Sequence, residues 1–349
     1  MSFPERRMPA EWEPQSGVML TWPRADGDWA ATLPEVEAVF HTIATEIARR
    51  ETVLINCASA AQSSRVRDFL IASGAPAGNI VTTVTASNDT WARDYGALTV
   101  LVREQPLLLD FTFNGWGGKH PARLDNAING QLLQQGRFGH TSCQTVALVL
   151  EGGSIDSDGA GTLLTTASCL LQPGRNPGLS RQQLTTELRG LLGAQRLLWL
   201  EHGGLEGDDT DGHIDMLARF CDATTIAFQA CDEPGYSRYD ELQDMARELQ
   251  QLRTAGGEPY RLVSLPWPGP RFDNNGGRLP ASYANFLVLN GAVLVPAYDD
   301  PADDTAAQQL QTCFPAREVV QVPCLPLIEQ YGSLHCLTMQ FPSGVELPA

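Results

Sequence analysis

The sequence is short of positive charge. Lysine and arginine number 24 against 41 aspartates and glutamates, giving a formal net charge of −17 and a pI near 4.7. There is no basic run and no arginine-rich stripe. A surface this acidic excludes nucleic acid and anionic membranes as partners, and it draws small cations toward any acidic cleft. Long apolar runs are missing as well. No stretch approaches the roughly 18 uninterrupted apolar residues that a membrane-spanning helix needs. The N-terminal segment MSFPERRMPAEWEPQSG has no apolar h-region and no small-residue cleavage site, so no signal peptide is expected. The eight cysteines (57, 143, 169, 221, 231, 313, 324 and 336) are scattered, with no CxxC pair. Their spacing predicts reduced thiols in a cytoplasmic protein rather than a disulfide frame. Low-complexity linkers are absent too, and the two Pro/Gly-rich stretches at 172–180 and 265–280 have too few polar neighbours for flexible tethers.

What is present is a core-forming composition, 43% hydrophobic over 349 residues. Residues 1–349 are read as a single catalytic unit, and the surface is compatible with a homo-oligomer. A coarse repeat organises the chain. A loop containing Gly, Asp or Asn leads into an apolar strand, a polar turn and a second strand, at 93–113, 151–166, 211–230 and 283–298, with a last start at 332–341. The loop residues Asp94, Glu151, His213, Asn285 and Cys336 stand 57, 62, 72 and 51 positions apart. Such periods suggest supersecondary units arranged around an axis. Helical periodicity fills the gaps at 33–50, 180–193 and 237–253, so the fold class is α/β or α+β, built of blades.

The densest acidic stretch is GDDTDGHID, 207–215. Read as extended chain, it puts Asp211, His213 and Asp215 on one face. Such a row could hold a divalent metal, grip a cationic substrate, or be a solvated turn; a structural zinc site would normally add Cys or further His. Further candidates are Trp91 and Asp94 in SNDTWARDYG, and Glu151 before two glycines in LEGGSIDSDG. In YGSLHC, Cys336 follows His335. Adjacent side chains of an extended segment diverge, so His335 is a poor base for Cys336, and the distant His213 is the better partner. Each of these residues taken alone also reads as core or turn.

Together the motifs MPAEWEPQSGVMLTWP (8–23), NDTWARDYG (88–96), FNGWGG (113–118), LEGGSIDSDGAGTLLTT (150–166), DDTDGHIDMLARF (208–220), PASYANFLVLNGAVLVPAYDDPADDTA (280–306) and HCLTMQ (335–340) resemble the agmatine deiminase family, grouped with bacterial-type peptidylarginine deiminases. The resemblance runs nearly end to end. It implies the pentein α/β-propeller, with five pseudo-symmetric blades around a central channel, and chemistry at a guanidino carbon with no cofactor and no metal. It implies that Cys336 is the nucleophile, His213 the general acid/base and Glu151 its support. Asp94 and Asp215 would hold the guanidinium, Trp91 and Trp116 would form aromatic walls, and Asn285 would be a polar site residue. Asp211 joins the substrate-binding set from its place in the acidic row.

The expected substrate is a small cationic guanidine, namely agmatine, with N-carbamoylputrescine and ammonia as products through a covalent thiouronium on Cys336. Peptidylarginine, free arginine or another guanidine are the alternatives. An arginine substrate should meet a cationic side chain at its carboxylate, for which Arg93 and Arg271 are the candidates. From other classes, a metal-dependent hydrolase using Asp211, His213 and Asp215, or a non-catalytic polyamine binder, stays open. The segment YGSLHC departs from the family's usual Gly-Gly-Gly-Asn-Ile-His-Cys, with Tyr331 where a glycine is usual.

Overall fold

A computed structural model describes residues 6–348. Its strands form five small sheets among the described residues. Four of them share one plan: a hairpin brings two strands antiparallel, and the second strand then pairs in parallel with a strand further along the chain. The pairs Leu98–Val102 with Gln105–Thr112, Ile155–Ser157 with Thr162–Thr166, Ala218–Asp222 with Thr225–Gln229, and Leu287–Leu289 with Ala292–Ala297 are antiparallel. Their parallel partners are Ser142–Val149, Arg196–Leu200, Arg261–Leu265 and Glu318–Pro323. A parallel partner requires a crossover. Helices Ile128–Gln134, Arg181–Leu192, Tyr239–Gln251 and Asp303–Cys313 supply it. The fifth sheet joins the two ends of the chain. The C-terminal strand Thr338–Pro342 lies antiparallel to the early strand Gln15–Thr21, which pairs in parallel with Thr52–Cys57 after helix Leu33–Ala48.

Local sequence explains these elements. The two-residue turn of the first hairpin is Arg103–Glu104, both at positive φ (50° and 61°), the backbone that a tight hairpin's twist demands. Helix Arg181–Leu192 opens with a reciprocal capping box between Ser180 and Gln183. It stops at Gly193, whose φ of 71° suits glycine. Helix Leu33–Ala48 buries Val36, Val39, Phe40, Ile43 and Ile47, the stripe expected from its 3.6 period. The inner strands carry runs such as AVLV at 292–295, buried throughout. The four hairpins and three helices therefore fall where the periodicity put them. The parallel outer strands and the helix Ala60–Ala72 were not apparent from periodicity.

Short turns precede each hairpin: Ala92–Tyr95, Gly152–Ser154, Ile214–Met216 and His335–Leu337, with the bend at 283–285 as the fifth. Neighbouring turns touch one another. They bring residues from five distant parts of the chain to one place.

Candidate active site

The place is marked by a glycine. A Cβ on Gly153 would lie 2.6 Å from His213 Nδ1, 2.9 Å from Asp94 Oδ1 and 3.2 Å from Asp215 Oδ2. Only a residue without a side chain lets these three groups converge. Cys336 Sγ lies beside them, 3.6 Å from Asp215 Oδ2, and it accepts a hydrogen bond from Asn285 Nδ2 at 3.2 Å. The Asn285 side-chain oxygen accepts from the backbone N–H of His335 at 2.8 Å, which fixes the turn carrying the thiol.

Above this floor is a pocket walled by Trp91 and Trp116, with Asp94, His213 and Cys336 lining its base. Trp116 Nε1 donates to Asp94 Oδ2 at 2.9 Å, and Gly153 N–H donates to Asp94 Oδ1 at 3.0 Å. The indole reaches this position from a left-handed backbone (φ 54°), in a loop that Asn114 caps by accepting from Gly117 N–H. Trp91 packs so closely on the turn before Cys336 that a Cβ on Gly332 would come within 2.4 Å of its ring. Asp28, Asp89, Asp209, His120, Gln330 and Tyr331 line the upper part, and no lysine or arginine is among the lining residues. Tyr331 holds φ 67°, a conformation in which glycine is unstrained.

Glu151, Asp215 and Asn285 are buried immediately behind the lining. Glu151 accepts from Arg175 Nε at 2.8 and 3.0 Å and lies 3.9 Å from His213 Nε2. Neither His213 ring nitrogen makes a hydrogen bond among the described residues, and the nearest carboxylate oxygen is Asp94 Oδ1 at 3.6 Å. Asp215 Oδ1 is also without a partner there.

Charge follows from this packing. Burial, then Asp215 and Asp94, push the Cys336 thiol well above its usual range. Burial opposes protonation of His213, but Asp94, Cys169 and Glu151 outweigh it and hold the imidazole's pKa well above the ordinary value. Burial raises Asp94 to about 6, against the pull of His213. For Asp215 burial again acts upward, yet the hydrogen bond from His335 wins and the carboxyl sits below its normal range. Glu151 is lowered too, because His213 and Arg175 overcome its burial.

Three sequence expectations need correction. Residues 211–215 are not extended: Asp211 (φ 68°) and Gly212 (φ 88°) turn the backbone over, so Asp211 leaves the face of His213 and Asp215. It pairs instead with Arg175 Nη1 at 2.7 Å and Lys119 Nζ at 2.8 Å, outside the pocket lining. That also breaks up the Asp211–His213–Asp215 metal row. The group that does converge is Glu151, Cys169 and His213, with ligand atoms within 4.8 Å of one another. The Arg175 guanidinium already occupies Glu151, and a second cation there would be repelled.

Second, His335 does not point away. Residues 335–337 form a single helical turn, and His335 lies behind Asp215 with Nδ1 2.8 Å from its Oδ2. Third, neither arginine proposed for a substrate carboxylate reaches the pocket. Arg93 pairs with Glu11 and Gln340 on the other side of the core, and Arg271 binds Tyr298 O and Asp300. Sequence reasoning also missed Arg175, which lies inside the Pro/Gly-rich loop 172–180 and is 2% exposed. An arginine flanked by turn residues gave no periodic signal.

Comparison with known proteins follows this geometry. Residues 7–342 match the family described as Porphyromonas-type peptidyl-arginine deiminase. The chain belongs to this family. It is 35% identical to the agmatine deiminase of Pseudomonas syringae pv. tomato, over 96% of this chain and 95% of that one. A crystal structure from Porphyromonas gingivalis, provisionally assigned as an arginine deiminase, superposes with a TM-score of 0.91 at 46% identity, covering 97% of this chain and 99% of that one. The C. jejuni agmatine deiminase with substrate bound superposes with a TM-score of 0.90 at 34% identity, covering 98% and 97%. The fold is the pentein α/β arrangement, which the five repeated sheets display.

Proposed function

We propose that this chain is a guanidino hydrolase that converts agmatine and water to N-carbamoylputrescine and ammonia, working as one catalytic unit in the cytoplasm. One observation carries the choice of substrate: the pocket has carboxylates at its floor and at its mouth, and no lysine or arginine lines it. A dication of agmatine's shape meets acids at both ends. The carboxylate of arginine or of a peptide would face Asp28, Asp89 and Asp209 with no lysine or arginine to receive it. The eight cysteines are all free, which supports a reducing compartment.

The chemistry follows from the groups in place. A guanidinium arrives charged, because its pKa exceeds about 12. It displaces water between Asp94 and Asp215, whose charges are worth roughly 4 kcal/mol per pair at about 4 Å and an effective dielectric near 20. The flat cation stacks between Trp91 and Trp116, and its carbon comes to rest over Sγ. Its positive charge offsets the two acids that raise the thiol, so Cys336 gives up its proton to solvent when substrate binds. The thiolate adds to the guanidino carbon. His213, held protonated by Asp94 and Glu151, donates to one nitrogen, and ammonia leaves as the C–N bond breaks. A thiouronium remains on Cys336. His213, now neutral, takes a proton from water, whose oxygen adds to the carbon. The C–S bond then breaks, releasing the ureido product and the thiolate.

Ammonia release across agmatine, arginine, a peptidylarginine and butylguanidine tests this reading. Agmatine should have the highest kcat/KM, followed by butylguanidine, with arginine and the peptide far behind. A preference for arginine would overturn the substrate assignment. Loss of activity to a chelator with resistance to iodoacetamide would overturn the thiol mechanism.

A further inference from the structure

His335 is 1% exposed and is the residue next to the nucleophile, yet the reaction outlined above gives it no part. Both of its ring nitrogens face carboxylate oxygens: Nδ1 is 2.8 Å from Asp215 Oδ2, and Nε2 is 2.8 Å from Glu11 Oε1. An ionised carboxylate only accepts, so two such bonds require a proton on each nitrogen. Glu11 is fixed in turn by Arg219, by Arg93 Nη1 at 3.3 Å and by Gln340 Nε2 at 3.0 Å, and Arg219 Nε is 3.4 Å from Asp156 Oδ1. From the other side Asp94, His213 and Cys336 face Asp215. Within this set Asp215 has one oxygen held by His335 and one without a partner.

We propose that His335 and Glu11 are positioning residues for the reaction: the imidazole, protonated on both nitrogens, locks Asp215 with Oδ1 free for the guanidinium and supplies a standing positive charge that lets a thiolate form at Cys336. The arrangement addresses a conflict in the site. Two acids beside a buried thiol disfavour its ionisation, and the substrate's charge is present only after binding. An imidazolium held behind Asp215 offsets one of those acids permanently, and Glu11 keeps the second ring proton in place. The lowered range of the Asp215 carboxyl and the strongly lowered Glu11 agree with this charge pattern. The proposal rests on Cys336 being the nucleophile.

Two measurements test it on the full chain without substrate, so they stand apart from the question of whether agmatine is turned over. In the wild-type protein at neutral pH, nitrogen NMR of the His335 ring should show both nitrogens protonated. A bare nitrogen there overturns the proposal. In His335→Gln, alkylation of the Cys336 peptide by iodoacetamide, followed by mass spectrometry, should move its pH midpoint up by about one unit or more. A folded variant with an unchanged midpoint overturns it as well, because a merely structural histidine would leave the thiol's titration where it was. If His335→Gln fails to fold, the ring measurement still decides.

Discussion

Two pockets flank the core of this protein, and they treat buried acids in opposite ways. At the floor of the one lined by Trp91 and Trp116, Asp94 accepts from two neutral N–H donors and lies 3.6 Å from His213, while Asp215, just behind the lining, has one oxygen without a partner. The other is lined by Glu11, Glu13 and Arg93 among others, and its acids are matched: Glu11 to Arg219 and Arg93, Glu13 to Arg7. A buried carboxylate oxygen without a partner is costly, and the unpartnered Asp215 Oδ1 beside Asp94 leaves room for a cation from outside. A matched pair instead holds the fold in one arrangement. The comparison separates acids left open beside a pocket from acids matched within the scaffold.

Breaking each side should give different losses. Cys336→Ala should reduce turnover by about a thousandfold or more, measured as ammonia release, with little change in melting temperature. Arg219→Met leaves the buried Asp156 without its cation and removes one of the cations around Glu11, and it should cost about 3–5 kcal/mol of stability in denaturant unfolding. Asp94→Asn should lower kcat/KM by about a hundredfold, yet stay within about 1 kcal/mol of wild-type stability, because the removed burial cost offsets a lost hydrogen bond. In the wild type, kcat/KM should rise with pH through about 6 as Asp94 ionises, and Asp94→Asn should erase that limb.

Glu51 sharpens the comparison, since it is a buried acid in neither pocket. It is 5% exposed, one oxygen lacks a partner, and burial pushes it up to about 7. A folded pKa above the unfolded one means that its contribution is fully present at low pH and is lost as pH rises through 7. Glu51→Gln should therefore gain on the order of 2 kcal/mol at pH 8 and little at pH 4. The smallest effect should come from the mouth. Asp28→Asn should raise KM for agmatine a few-fold while leaving butylguanidine unchanged, which would place the amine there.

The sequence carried the repeats well, because each hairpin is a local pattern: an apolar run, a turn and another run. It carried less of the outer parallel strands, whose partners lie a helix away and whose exposed positions blur the alternation. Among site residues, Asp94, Glu151, His213, Asp215, Asn285 and Cys336 all meet at one place. Asp211 does not, because a positive-φ turn at 211 and 212 defeats the alternation expected of an extended segment. His335 was set aside by the same assumption, and the helical turn at 335–337 brings it back. Arg175 and Glu11 lie in loops, where spacing says nothing about direction.

The most direct measurement of the central claim is a crystal structure of Cys336→Ala with agmatine. The guanidinium should lie between Trp91 and Trp116, its nitrogens within about 3 Å of Asp94 and of Asp215 Oδ1. Its amine should point toward Asp28, Asp89 and Asp209. A guanidinium found at the mouth, or one that leaves Asp94 and Asp215 without contact, would contradict the account.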